Sequence, residues 1–425
     1  MSTSPASPPA RLSIRSRLAV GVGRAVAGAS RLVHFGTGSV IGGRASLLID
    51  RNLLRKLTAH RDVVIVSATN GKTTTTRMLS AALETTGPVV SNSLGANMTP
   101  GIIAALGPTA LTEPAVLEVD ERWVGSVLDA TGAQTLLLLN LSRDQLDRSQ
   151  EVRKLAQHWK TAIGQALPGC VIANADDPLV VWAAVDAPDV TWVATGQDWT
   201  SDAAGCPACS GRIEFDRSSW HCTGCDLQRP TPDIVWDDST ITIDDRTIDL
   251  ELGLPGRANR ANAAFAIAAA CRLGAQPEAA ARAVETVTEV AGRYRVASLD
   301  GVSIRLLLAK NPAGWHEALE HLAPRPAPVI VAINARIADG HDPSWLWDVD
   351  FERLGGRFVV ALGERRHDLA VRLRYADVEH VIAETLDEAL LLVAGSPHHD
   401  PERAVDIAAN YTAFQEYLDR VGGPE

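Results

Sequence analysis

Residues 68–76 read Ala-Thr-Asn-Gly-Lys-Thr-Thr-Thr-Thr and follow directly on the apolar run Asp62-Val-Val-Ile-Val-Ser67. A buried strand that breaks at Gly71-Lys72-Thr73 and opens a helix gathers free backbone N–H groups, an ammonium and a hydroxyl around one point, the arrangement that receives a nucleotide phosphate. Gly71 lets the backbone approach the phosphates, Lys72 reaches their β and γ oxygens, and Thr73 offers its hydroxyl to Mg²⁺. Thr69, Asn70 and Thr74 complete the expected ATP-binding loop. Only the second half of the P-loop pattern is matched, since Val66 stands where a further glycine is usual. The plain alternative is a helix N-terminus with a solvated lysine. The strand context and the threonine run 73–76 favour phosphate.

The strand before this loop is the first of several. Runs at Ala115–Val119, Thr135–Asn140, Gly169–Asn174 and Val190–Ala194 alternate with helix-like stretches such as Thr74–Glu84 and Glu151–Ala166. That alternation predicts a parallel α/β sheet with ligands at the carboxyl ends of its strands. Residues 197–230 interrupt it, Asp233–Leu252 is β-rich and acidic, and helices are expected at Ala258–Leu273 and Glu278–Val290. After Gly292-Arg293 the alternation restarts at Val302–Leu308, Val329–Ile333 and Arg357–Leu362. The 425 residues therefore divide into an N-terminal segment 1–45, an ATP-binding domain 46–295 and a smaller Rossmann-like α/β domain 296–425.

Strand ends carry the candidate chemistry. Leu117-Glu118-Val119-Asp120-Glu121 finishes an apolar strand in acids, and alternation puts Glu118 and Asp120 on one face, where a carboxylate can hold Mg²⁺. Asn140–Arg148 and Asn174-Ala-Asp-Asp-Pro178 end two further strands in polar clusters on the P-loop side.

Four of the six cysteines are organised. Cys206-Pro-Ala-Cys209 and Cys222-Thr-Gly-Cys225 form C-x2-C-x12-C-x2-C, two knuckles whose thiolates can converge on Zn²⁺ with a hairpin-sized segment between them. Four cysteine ligands leave no open position, so such a zinc is structural. Four unrelated loop thiols are the alternative. Cys170 and Cys271 lie in apolar runs and are expected in the core, which leaves no evident cysteine nucleophile.

A net charge of −11 argues against a nucleic-acid partner. The sign reverses between residues 11 and 61, where ten Arg and Lys face one acid, Asp50. Arg17, Arg24 and Arg31 recur along one helix face, with Leu18, Val22, Val26 and Val33 on others. This helix is a candidate for an anionic membrane surface, or else packs on the domain through its apolar side. Residues 1–10 read as disordered and the chain as cytoplasmic, at the inner membrane face if the basic helix is used.

Ala68–Thr75, Leu117–Glu121, Asn140–Arg148, Asn174–Pro178 and Gly256-Arg-Ala-Asn-Arg-Ala-Asn262 resemble, in order, the ATP-binding motifs of the Mur ligase family. The four-cysteine insertion, Leu308–Gly314, Ala338–Trp345 and Trp347–Glu352 are similar to its MurT-type branch. Ala68, Gln145, Ala335 and Arg336 depart from the family's usual residues, and Lys160 stands near the offset of a lysine that is carbamoylated in some members.

The resemblance implies a Mur ligase-type P-loop ATPase with Glu118 and Thr73 at Mg²⁺ and with Asn259 and Asn262 near the nucleotide base. It implies amidation of the α-carboxylate of D-glutamate in lipid II through an acyl phosphate, with ATP, Mg²⁺ and structural Zn²⁺. A GatD-like glutamine amidotransferase subunit would supply ammonia, and Asp342 of this chain would orient that partner's catalytic histidine. From the residues alone, Asp342 is a turn cap before Pro343. The alternatives are a self-contained Mur or folylpolyglutamate-like amino-acid ligase and a non-catalytic ATP-binding zinc-ribbon scaffold.

Overall fold

Val63–Ser67 (β1) is buried at every residue, and its neighbours on both sides are too, so both faces of the sheet centre are covered, as a parallel sheet requires. The computed structural model describes residues 11–32, 39–92, 96–143, 152–196, 199–216, 218–237, 239–243, 246–254, 256–288, 294–299 and 301–422. The expected disorder of residues 1–10, Val33, the positions Gln145 and Arg148, and the Gly292-Arg293 boundary lie outside them.

The remaining strands of the first unit are Val90–Ser91 (β2), Ala115–Glu118 (β3), Thr135–Leu138 (β4), Cys170–Asn174 (β5), Val190–Ala194 (β6), Ile213–Asp216 (β7), Ser219–Cys222 (β8), Ile234–Asp237 (β9), Thr240–Ile243 (β10) and Arg246–Asp249 (β11). With β1, eight of them form one nine-stranded sheet in the order β11-β10-β9-β6-β5-β4-β1-β3-β2. From β2 to β9 the pairing is parallel, and β9, β10 and β11 add an antiparallel edge. The register sets Val66 opposite Glu118 and Ser67 opposite Leu138, so β1, β3 and β4 end together beside the loop that follows β1. β7 and β8 form a separate antiparallel hairpin inside the cysteine insertion.

The second unit carries Tyr294–Leu299 (β12), Val302–Leu308 (β13), Val329–Ala332 (β14), Val359–Leu362 (β15), His380–Ile382 (β16) and Val405–Ala409 (β17), in the order β12-β13-β17-β14-β15-β16. All but the β12–β13 hairpin are parallel. Its core has one apolar cluster around Trp315, Trp345 and Phe351 and another around Phe414 and Ile407.

Three expectations shift. The helix expected over Glu278–Val290 runs Pro277–Glu285. The β-branched run Thr286-Val287-Thr288 does not continue it, and the Thr286 hydroxyl turns back onto the Ala283 carbonyl. Cys170 and Cys271 are half-buried rather than core residues. In the basic helix, Ile14–Leu32, the fully buried residues are the small Ser16, Ala19, Gly23 and Ser30, while Val20, Val22 and Val26 are half-buried and Leu18 is exposed.

Candidate functional site

The loop after β1 is shaped by one glycine and clamped by one asparagine. Gly71, at φ +88°, is the N-cap of the helix Lys72–Glu84 and takes a left-handed conformation that a side chain disfavours. A Cβ at Gly71 would also collide with the Asn262 carboxamide, whose Cγ would be 3.2 Å away. Asn140, just past β4, accepts from the Asn70 N–H at 2.9 Å and donates to the Asn70 carbonyl at 3.0 Å, while its own carbonyl accepts from the Thr69 N–H. Thr69 and Lys72 to Thr74 thus stand at fixed places around the helix N-terminus, with Lys72 as its first residue. Asn262 is buried on the helix Arg257–Arg272, and Asn259 lies one turn earlier, half-buried.

The Lys72 ammonium is buried and fully engaged. It donates to the Ala68 carbonyl, to the Thr69 carbonyl at 3.2 Å and to Glu121 Oε2 at 3.0 Å. Burial pushes the Glu121 carboxyl above its ordinary range, and the lysine charge opposes that shift. Glu121 is the site residue that alternation missed. β3 ends at Glu118, so the period-two argument fails beyond it: Asp120 turns to Arg122, and Glu121 is the acid that meets the P-loop lysine. Its signal was present as the last acid of the run 118–121.

Glu118 is 2% exposed. Its Oε1 accepts from Asn97 at 3.4 Å, and its buried Oε2 has no hydrogen-bond partner among the described residues. A buried carboxylate oxygen left without a donor fits a cation ligand, because leaving it unpaired is costly. The other strand-end groups mostly brace the loops. Asn174 donates to the Leu139 carbonyl, and Asp177 accepts from the N–H groups of Leu141, Leu179 and Val180. Lys160 pairs with Asp186, donates to the Trp182 carbonyl and lies over the Trp182 ring.

The four organised cysteines do converge. Their Sγ atoms all lie within 4.8 Å of one another, with Cys206 to Cys225 at 3.7 Å and Cys209 to Cys222 at 3.4 Å. Those separations are too long for disulfides and close to the ~3.8 Å edge of a tetrahedron built on Zn–S bonds of ~2.3 Å. The Gly211 and Gly224 N–H groups point at Cys209 Sγ (3.3 Å) and Cys222 Sγ (3.2 Å), and the Gly224 N–H pulls the Cys222 thiol down to about 7. A Cβ on Gly211 would press on both Cys209 Sγ and Cys222 Sγ. The insertion is anchored by Trp220, which donates to the Ala175 carbonyl at 3.0 Å, and by Arg229 on Asp176 at 2.7 Å.

With this geometry in hand, residues 66–270 match the Mur ligase middle domain and residues 308–414 match the MurT ligase C-terminal domain. The chain is 30% identical to the lipid II isoglutaminyl synthase (glutamine-hydrolyzing) subunit MurT of Streptococcus pneumoniae, over 92% of this chain and 95% of that one. This chain belongs to the MurT family. The MurT subunit of Staphylococcus aureus is 29% identical over 90% of this chain and 93% of its own. A pseudomurein peptide ligase type C from Methanothermus fervidus has the same fold, with a TM-score of 0.67 at 18% identity, covering 87% of this chain and 80% of that one.

Asp342 lies in the MurT C-terminal region and caps the short turn Pro343–Asp348, accepting from the Ser344 N–H at 2.9 Å. That N–H holds the exposed carboxyl below its ordinary range. One carboxylate oxygen therefore caps the turn. The departure from MurT relatives expected at Ala335-Arg336 is locally satisfied: the Ala335 carbonyl meets His341 Nδ1 at 3.0 Å, and Arg336 bridges Glu364 and Glu416, each at 2.8 Å. Among the described residues no helix is long and apolar enough to cross a membrane.

Proposed function

We propose that this chain is the ATP-dependent ligase subunit of a lipid II isoglutaminyl synthase, converting the α-carboxylate of D-glutamate in the stem peptide to the amide. The observation that carries the reading is similarity to MurT subunits along nearly the whole chain, including the region of Asp342. A carboxylate is a poor acyl donor, so its oxygen takes the γ-phosphoryl group of ATP, and ammonia then displaces phosphate to leave the amide and inorganic phosphate.

The residues fit that division of labour. The Lys72 ammonium, already stripped of water, is the cation available to the transferring phosphoryl group, and a phosphate competes with Glu121 for it. Asn262 and the N–H groups around Gly71 cradle the nucleotide, with Thr69, Asn70, Thr74 and Asn259 beside them. Thr73 and Glu118 would hold Mg²⁺, which supplies neutralising charge at the phosphates. Cys206, Cys209, Cys222 and Cys225 would hold a structural Zn²⁺ in a ribbon, which fits four converging thiols on a hairpin.

Ammonia is scarce at neutral pH because most of it is ammonium. The MurT relatives are named as one subunit of a glutamine-hydrolyzing synthase, which supports assigning glutamine hydrolysis to a GatD-like partner. The exposed carboxylate of Asp342 suits orientation of that partner's histidine. A lipid-linked substrate places the reaction at the cytoplasmic face of the membrane.

The test is to purify the chain with its glutaminase partner and follow lipid II by mass spectrometry after adding ATP and glutamine. Amidation of the stem peptide is expected. Addition of an amino acid instead would assign the self-contained ligase reading, and nucleotide binding with no substrate-dependent ADP release would make the chain a scaffold.

A further inference from the structure

Amphipathic surface helices ordinarily turn their apolar stripe inward. In the helix Ile14–Leu32 Val20, Val22 and Val26 are half-buried, but Ile14, Leu18 and Leu32 are exposed. Its inward face is made of Ser16, Ala19, Gly23 and Ser30, small enough for a close approach to the antiparallel helix Ser39–Ile49: a Cβ on Gly23 would overlap the Ser46 hydroxyl, and one on Gly42 would come 2.9 Å from the Ala27 methyl. The two helices are tied at one end by Ser16 Oγ on Asp50 (2.7 Å) and by Arg15 Nε on the Ile49 carbonyl (2.6 Å).

At 3.6 residues per turn, the opposite face presents Ile14, Leu18, Ala25, Ala29 and Leu32 as one strip, with Gly21 and Gly28 between them. Arg17, Arg24 and Arg31, all exposed, run along one flank. Leu48 (86%), Leu32 (82%) and Ile14 (78%) are the most exposed large apolar side chains among the described residues, and all three belong to this helix pair. Leu48 on the second helix is accompanied by exposed Ile41 and Arg44. From residue 11 to residue 49 the sequence has six arginines and no acid, within a chain of net charge −11.

We infer that this helix pair is an interfacial docking surface that lays Ile14, Leu18, Leu32 and Leu48 into the headgroup region of an anionic bilayer while the flanking arginines meet lipid phosphates. Charge selects the occupant. A second copy would bring the same arginine rows together, and Gly21 and Gly28 would leave its seam without knobs. A lipid surface carries the opposite sign and conforms to a strip of uneven relief. An acidic chain would be repelled from such a surface overall, so binding needs a local basic edge of this kind.

The inference deepens the proposed function by giving a lipid-linked substrate a surface on which to be met, yet its test needs no turnover. The full chain would be mixed with phosphatidylcholine vesicles with and without about 30 mol % phosphatidylglycerol and followed by flotation. Binding is expected to the anionic vesicles only, and to weaken between about 0.1 M and about 0.5 M salt. Leu18→Asp and Leu48→Asp should each lower the bound fraction about tenfold, with circular dichroism unchanged because both side chains already face solvent. Amidation of detergent-dispersed substrate should persist in these variants, so failure to bind vesicles and failure to amidate are separable. Equal binding to both vesicle types, full binding by Leu18→Asp, or a concentration-dependent dimer that Leu18→Asp dissolves would each overturn the inference.

Discussion

The Lys72 ammonium sits 3.0 Å from Glu121 Oε2, and both side chains are about nine-tenths buried. Two charges removed from water hold each other in place, and deleting one strands the other. Lys72→Ala should therefore abolish amidation and also lower unfolding stability by about 3 kcal/mol. The double variant Lys72→Ala/Glu121→Gln should recover most of that stability and none of the activity. Urea unfolding and product analysis on the three chains read the two effects apart. Normal amidation by folded Lys72→Ala would remove the lysine from phosphate chemistry.

A second coupling joins Gly71 to Asn262. Gly71→Ala meets both the left-handed backbone penalty, about 1–2 kcal/mol, and the carboxamide of Asn262. Asn262→Ala in the same chain should remove the collision and leave only the backbone penalty, so the two changes should combine to less than their sum. Strict additivity in denaturant unfolding would show that the contact carries no energy.

Asp177 supplies a pH signature. Complete burial, outweighing three N–H donors and helped by the charge of Asp202, pushes its carboxyl up to about 6 from an ordinary 3.8. A raised folded value means that the native state binds the extra proton, so this contribution is complete below about pH 4 and is lost as the pH rises through about 6. Moving from about pH 5 to about pH 7.5 should cost the wild type about 1 kcal/mol from this group. Asp177→Asn should show no such change, though it also forfeits the oxygen that accepts the Leu141 N–H, at about 1 kcal/mol at every pH. Parallel pH profiles for the two chains would place the proton elsewhere.

The thiol cluster predicts its own content. Protein purified without chelators should carry about one zinc per chain by elemental analysis. Cys206→Ser, at a buried ligand packed beside Trp220 and Ile213, should release it and loosen the insertion while leaving nucleotide binding at Lys72 in place. Zinc-free wild-type protein would reduce the cluster to four thiols.

How much of this was legible depends on the range of the interaction. The strand ending at Ser67, the helix opening at Lys72 and the paired cysteine knuckles are local patterns, and each forms where its residues place it. Asn262 was tied to the nucleotide base only through family resemblance, and nothing in the spacing of positions 71 and 262 implies its contact with Gly71. Glu121 escaped because alternation holds only while a strand lasts, and β3 stops at Glu118. The N-terminal helix was legible only in part. Its apolar residues left a membrane surface and a packed apolar side both open, and the closest approach to the partner helix went to the small residues Ala19 and Gly23, with Val22 and Val26 half-buried beside them.

Asp342 carries the most exposed part of the functional reading. Its Oδ1 is taken by the Ser344 N–H, which explains the residue as a turn cap, and the site is open to solvent. Two roles are therefore in competition, and one substitution separates them. Asp342→Asn keeps an oxygen for the cap but removes the charge that would fix the tautomer of a partner histidine and stabilise its imidazolium. With the partner bound, glutamine hydrolysis should fall by about 10²-fold or more. In the proposed reaction phosphoryl transfer depends on Lys72, Thr73 and Glu118, which this change does not touch, so high ammonium at alkaline pH should restore most of the amidation. Undiminished glutaminase activity would leave Asp342 a turn residue. Equal loss with ammonia and with glutamine would instead assign it to the ligase reaction or to the fold of its own domain.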